Sequence, residues 1–368
     1  MTAPLSSLLP DFPWDTIADA RARATAHPGG LCDLSVGTPV DPVPQLAVDA
    51  LAASGAKWAG YPTTAGTAAL REAIRGYQER RWGASGLADA GVLPVIGTKE
   101  LVAWLPTLLA LGPGDTVVLP TTAYPTYEVG ARLAGATPVA CDDPGRLAEL
   151  RPRLVWINSP ANPHGAILSA EQTRAWVDAA RSVGAVLASD ECYGEFGWDA
   201  EPVSVLHAAI CGGDHTGLIA AHSLSKRSNV AGFRAGWVAG DAVLVGELLG
   251  VRKHAGMMVP GPIQDAMVAL LGDHAHVELQ RARYLARRTL LRPALEAAGF
   301  RIDHSQGSLY LWATRDEPCR ATIDALAGLG ILAAPGDFYG PAGQRHVRIA
   351  LTASDERIAS AAERLAQL

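Results

Sequence analysis

Only four lysines stand among the 368 residues: Lys57, Lys99, Lys226 and Lys253. The other 27 of the 31 lysines and arginines are arginines. Lys226 lies in HSLSKRSNVAGFRAGW, residues 222–237, after Ser223 and Ser225 and eight residues before Arg234. A neutral amine attacks a carbonyl. Hydroxyls and a guanidinium are what a phosphate needs. The stretch therefore suits one small molecule that carries both an aldehyde and a phosphate. Lys99, in GTKE, is the rival nucleophile, but at a helix start its amine points to solvent.

Such groups need a scaffold. DTVVLP (115–120), ATPVAC (136–141), RLVWINSP (153–160), AVLASDE (185–191), GLIAAHS (217–223) and AGWVAG (235–240) read as short apolar strands. Helical segments separate them, among them TKELVAWLPTLLALG and SAEQTRAWVDAARSVG. The second opens on Ser169 as N-cap and closes on Gly184. Strands that are apolar on both faces and alternate with helices argue for an α/β fold with a mostly parallel sheet and helices on both faces. From about residue 277 the texture changes to a long amphipathic helix, the strand patterns SLYLWAT, ILAAP and HVRIALT, and a final helix. The expected division is a large ligand-binding domain over 41–276 and a smaller α+β domain built from 1–40 with 277–368.

In an open α/β sheet the ligand lies beyond the carboxyl ends of the strands. There the sequence places Asn162 of NSPANPHG, Asp190, Tyr193, Lys226, Arg234, the TTAYPTYE loop, and Thr98-Lys99 opening a helix. One cofactor asks for that set. Pyridoxal 5′-phosphate needs a lysine for its aldehyde and a carboxylate for its pyridine nitrogen. It also needs a helix start, hydroxyls and an arginine for its phosphate, and neutral donors for its ring hydroxyl.

The order S-x-S-K with Arg eight residues on, D-x-x-Y and N-P-x-G resembles the fold-type I aminotransferases of the aspartate aminotransferase superfamily. The resemblance runs from SVGTPVDP at 35–42 to VRIALT at 347–352. It implies that Lys226 bonds the cofactor and moves the substrate proton. Asp190 would partner the pyridine nitrogen, and Tyr193 and Asn162 the ring oxygen. Ser223, Ser225, Arg234 and the N–H groups of Thr98 and Lys99 would take the phosphate. Tyr124 would stack on the ring, and Tyr127 in the same loop is read as packing. Arg348 would grip the substrate α-carboxylate, a task for a bidentate fork, with Gly37 approaching closely beside it and Asn162 nearby. Tyr61, in Y-x-x-x-x-G-x-x-x-L-R, would reach the phosphate of a neighbouring subunit, which implies a homodimer.

A narrower resemblance rests on LPDFPWD, DLSVGTPVDPVP, GTKE, RKHAGMMVP, DHSQGSLYLWAT and APGDFYGPAG. These stretches look like the succinyldiaminopimelate aminotransferases of bacterial lysine and diaminopimelate synthesis. The implied reaction moves an amino group between glutamate and N-succinyl-2-amino-6-oxopimelate. Arg21, Arg252 and Lys253 are basic candidates for the distal end of that substrate. Two alternatives stay open: another class I/II aminotransferase, for aspartate, aromatic residues or acetylornithine, and a C–S β-lyase on the same fold.

Composition narrows the field. The net charge of −6 comes from mixed acids and bases, with no basic block for nucleic acid or a membrane surface. The N-terminus lacks the pattern of a signal peptide, so a cytoplasmic enzyme is expected. Five dispersed cysteines without CxxC read as reduced thiols, and the ten histidines show no metal spacing.

Overall fold

A computed structural model describes residues 4–368. Residues 1–3 of the expected smaller domain lie outside the described residues. The strands are β1 (Cys32–Asp33), β2 (Val92–Val95), β3 (Thr116–Leu119), β4 (Thr137–Ala140), β5 (Leu154–Asn158), β6 (Val186–Asp190), β7 (Leu218–Ser223), β8 (Gly236–Gly240), β9 (Arg301–Asp303), β10 (Tyr310–Thr314), β11 (Ile331–Leu332), β12 (Ala334–Pro335) and β13 (Val347–Ala350).

Seven of them form one sheet in the order β2-β8-β7-β6-β5-β3-β4. All neighbours run parallel except β8, which is antiparallel to both β2 and β7. Every residue of β5, β7 and β8 is buried, which is why these strands read as unbroken apolar runs. The edge strand β4 is half-exposed and carries Pro138, a residue that only an edge tolerates well because it cannot donate to the ladder.

Helices cover the sheet. Ala170–Ser182 starts with a reciprocal cap: the Gln172 N–H donates to Ser169 Oγ at 3.1 Å, and the Ser169 N–H donates to Gln172 Oε1 at 2.9 Å. Gly184 follows it in the left-handed region, at φ 68°. Thr98–Leu108 is shorter than its apolar pattern; it carries Pro106 and stops two residues later. The long helix Ala275–Ala297 continues through Pro293. No described helix is long and apolar enough to cross a membrane.

The C-terminal third adds a four-stranded antiparallel sheet, β12-β13-β10-β9, and β1 pairs in parallel with β11. Ile17, Leu34, Tyr284, Leu311, Ile349 and Ile358 share one apolar core. The N-terminal segment thus packs with residues some three hundred positions away and passes the carboxyl ends of the large sheet on the way.

Candidate active site

The strand register sets the floor of the site. Asn158 and Asp190 are direct partners at the ends of β5 and β6. Ser223 at the end of β7 pairs with Gly236, which also pairs with Val95 at the end of β2. Side chains beyond these positions therefore converge along one edge of the sheet.

They line a cavity of about 320 Å³. The sequence-predicted residues Gly37, Thr98, Lys99, Tyr124, Asn162, Asp190, Tyr193, Ser223, Ser225, Lys226, Arg234 and Arg348 all stand in its wall. Tyr61 does not; it lies outside the cavity, 96% exposed. Arg21, Arg252 and Lys253 do not line it either. Arg252 is buried against Glu100 in a two-pronged pair at 2.8 and 3.0 Å, and Arg21 pairs with Asp33 at 2.9 Å. A larger neighbouring cavity, about 370 Å³, shares Asn162 as a wall but carries no lysine or arginine. The smaller cavity brings together Lys226, Arg234 and Arg348 with Asp190, which makes it the candidate site.

Lys226 follows β7 in the short helix Leu224–Arg227. Its Nζ donates to the carbonyl of Gly37. Burial, with Arg348 and Arg234 nearby, lowers its pKa from 10.5 to about 8. The amine is thus poised to shed its proton close to neutral pH.

Asp190 is buried and meets no cation at hydrogen-bond range among the described residues. Tyr127 Oη donates to its Oδ2 at 2.9 Å, and the Cys192 N–H to its Oδ1 at 3.1 Å. Burial still pushes its pKa up. A buried carboxylate held by two neutral donors suits a cationic ring nitrogen, which would supply the missing charge. Tyr127, read as packing, does stack on Trp156 at 4.9 Å, but its hydroxyl also holds this carboxylate. Tyr124 presents its ring edge-on to Tyr127, with centroids 5.7 Å apart, and lines the cavity.

Beside these groups lies an arrangement that could hold a phosphate. Gly97, at φ 84°, turns β2 into the helix Thr98–Leu108, whose start has no side-chain cap. Its first N–H groups are left for a ligand. A Cβ on Gly97 would lie 2.2 Å from Arg234 Nη2. The exposed Arg234 donates from Nη1 to Ala231 O at 2.9 Å and keeps further donors free. Ser223 Oγ accepts the Ser225 N–H at 3.0 Å, so its own hydrogen remains available. Cys192 adds a contact the sequence did not suggest, from Sγ to Thr98 Oγ1 at 3.2 Å.

Arg348 is buried, although its alternating strand admits a surface reading. Its Nη1 donates to Asn162 Oδ1 at 2.9 Å and its Nη2 to Ser35 O at 2.6 Å; Nε has no partner. Two aromatic rings, Tyr310 and Tyr339, lie at 4.0 and 5.1 Å from the guanidinium carbon. Trp14 from the N-terminal segment closes the wall near Lys99, whose Nζ sits 5.9 Å from the ring of Phe12. Trp14, Cys192 and Tyr310 were missed as cavity residues. The N-terminal LPDFPWD and the C-terminal SLYLWAT meet here only because the chain folds back.

A bound pyridoxal 5′-phosphate fits these residues: an amine for the aldehyde, a buried carboxylate for the ring nitrogen, and an uncapped helix start with Arg234 for the phosphate. Residues 30–365 match the family Aminotransferase class I and II. A probable aminotransferase of Mycobacterium tuberculosis is 60% identical over 98% of this chain and 86% of its own. The 4-dedimethylamino-4-oxo-anhydrotetracycline transaminase OxyQ of Streptomyces rimosus is 57% identical over 97% of this chain and 99% of its own. Among solved structures, an aminotransferase from Neisseria meningitidis superposes with a TM-score of 0.91 at 30% identity, covering 100% of this chain and 99% of that one.

Proposed function

Because the chain belongs to the class I and II aminotransferases, a pyridoxal 5′-phosphate family, we propose that it moves an amino group between glutamate and N-succinyl-2-amino-6-oxopimelate. The products are 2-oxoglutarate and N-succinyl-LL-2,6-diaminopimelate, in diaminopimelate and lysine synthesis. In this reading residues 41–276 form the cofactor domain and 1–40 with 277–368 the smaller one. The enzyme acts in the cytoplasm as a homodimer.

The observation that carries the substrate class is the charge of the cavity. Four cations line it, Lys99, Lys226, Arg234 and Arg348, against one carboxylate, Asp190. Asp190 is matched by the ring nitrogen, and Lys226 is consumed in bonding the cofactor. Arg234 and the helix start answer the phosphate, with its roughly two negative charges. Arg348 answers the α-carboxylate. Lys99 is left over, and it makes no ion pair with any acid among the described residues. Lys99 stands exposed at the cavity rim, where a second carboxylate on the substrate would gain a charge-assisted contact. Glutamate and the succinylated oxopimelate both carry one.

The bound cofactor supplies an electron sink for the substrate α-carbon. The protein's residues do the rest. Arg348 fixes one end of the substrate, and Asn162 and the carbonyl of Ser35 fix Arg348. Lys226, mostly neutral above about pH 8, takes the α-proton and returns it two atoms along as the general acid–base of a 1,3-shift. Tyr193 stays a neutral donor because burial raises its pKa. Asp190, fastened by Tyr127 and the Cys192 N–H, would hold the ring nitrogen of the bound cofactor and, with it, its own negative charge.

The second reading is amination of a large polycyclic ketone, of the kind named for the Streptomyces rimosus relative at 57% identity. The absorbance of the cofactor-loaded enzyme separates the two. Glutamate alone should bleach the visible band and release one 2-oxoglutarate per site. The succinylated oxo acid should then restore the band. Restoration by the polycyclic ketone and not by the oxo acid would put the second reading first. A band that persists in glutamate, with pyruvate formed from cystathionine, would favour a lyase.

A further inference from the structure

Tyr310 opens β10 and pairs with Ala350 of β13, while Trp312 pairs with Arg348. This antiparallel register puts Tyr310 and Arg348 diagonally on one face of the small sheet, within reach of each other. Tyr310 is buried and lines the same cavity as Lys226. Its ring lies under the Arg348 guanidinium, with the carbon 4.0 Å from the centroid. Its hydroxyl is 2.7 Å from that of Tyr193. No other hydrogen-bond partner meets either hydroxyl among the described residues. The fit against Gly37 is tight: a Cβ there would fall 2.0 Å from Tyr310 Oη. Gly37 in turn accepts Lys226 Nζ at its carbonyl.

We infer that Tyr310 is a positioning residue that holds two working groups at once: its hydroxyl donates to Tyr193, and its ring seats the Arg348 guanidinium. The inference rests on the proposed reading, in which Tyr193 donates to the cofactor's ring oxygen and Arg348 grips the α-carboxylate. A phenol has one hydrogen to give. If Tyr310 gives its hydrogen to the Tyr193 oxygen, the Tyr193 hydrogen is turned outward to the cofactor. A donor that itself accepts a hydrogen bond donates more strongly. The ring contact works on the other group. A guanidinium over an aromatic face is held flat and partly desolvated, ready for a bidentate carboxylate.

The two halves separate by substitution. Tyr310→Phe keeps the ring and loses the hydroxyl. In the cofactor-loaded enzyme it should raise the pH midpoint of the visible absorption band by about 0.5 unit, in the same direction as Tyr193→Phe and by less. It should leave KM for glutamate within about twofold. Tyr310→Leu, or Tyr310→Met if the leucine variant does not fold, also loses the ring and should raise that KM about tenfold. Melting of each loaded variant checks that it is folded. A midpoint unmoved in Tyr310→Phe while Tyr193→Phe moves it overturns the hydroxyl half. A KM unchanged in the folded leucine or methionine variant overturns the ring half. A wild-type enzyme that shows no visible band with added cofactor removes the reading of Lys226, and this inference with it.

Discussion

Lys226 and Arg348 show at the residue scale how one side chain sets the chemistry of another. In the proposed reading Arg348 grips the substrate α-carboxylate, and its charge also adds to burial in lowering the Lys226 pKa to about 8. The amine is reactive only when neutral. The cofactor-free chain should therefore capture pyridoxal 5′-phosphate faster as pH rises, with a midpoint near 8 set by this group. Arg348→Gln removes the neighbouring charge, so the midpoint should move up. Arg348→Lys keeps a charge but loses the fork, so the midpoint should stay while kcat/KM for glutamate falls about a hundredfold. Stopped-flow traces of the visible band at stepped pH give the midpoint, and steady-state kinetics give the rest. Equal midpoints in the wild type and the glutamine variant would show that Arg348 does not tune the lysine.

At the scale of elements, the site is a set of strand ends, and that much could be read from the chain. Buried parallel strands are apolar on both faces, so their polar ends at Asn158, Asp190 and Ser223 stand out. Arg348 does not stand out in this way, because a charge in an alternating strand also suits a surface position; the family resemblance alone marks it. Tyr310, Trp14 and the hydroxyl of Tyr127 do not stand out either, because an aromatic in an apolar run looks like core until the segment packed against it is known. Arg252 misled in the opposite sense: a cation with no local partner proved to be buried on Glu100 of a helix far away in sequence. Gly97 turns β2 into the helix start that would take the phosphate, and its φ of 84° is one that L-residues rarely adopt. Gly97→Ala should strain that turn and crowd Arg234, raising the Kd for the cofactor about tenfold or more. At saturating cofactor, kcat should be largely retained. Gly246→Ala, inside a helix with nothing within 4 Å of the new Cβ, should change neither. Equilibrium titration of the cofactor on both variants decides whether the backbone turn matters.

For the whole molecule the open matter is Tyr61. A tyrosine that is 96% exposed is unusual, since its ring gains nothing from water. It does not line the chain's own site cavity, so it is free to complete the cavity of another copy. A closed twofold pair would exchange the residue reciprocally, each chain giving its Tyr61 and receiving one. Complementation tests that arrangement without an image of the interface. Tyr61→Ala keeps its own Lys226, and Lys226→Ala keeps its own Tyr61. In a mixed dimer one site would combine the intact Lys226 of the first chain with the intact Tyr61 of the second. The other site would have neither. Random mixing puts about half the chains in mixed dimers with one good site of two, so about a quarter of wild-type activity should return. That figure must exceed the sum of the two variants assayed apart. Activity that never rises above that sum, in a mixture shown to have exchanged subunits, would mean that Tyr61 serves no neighbouring site.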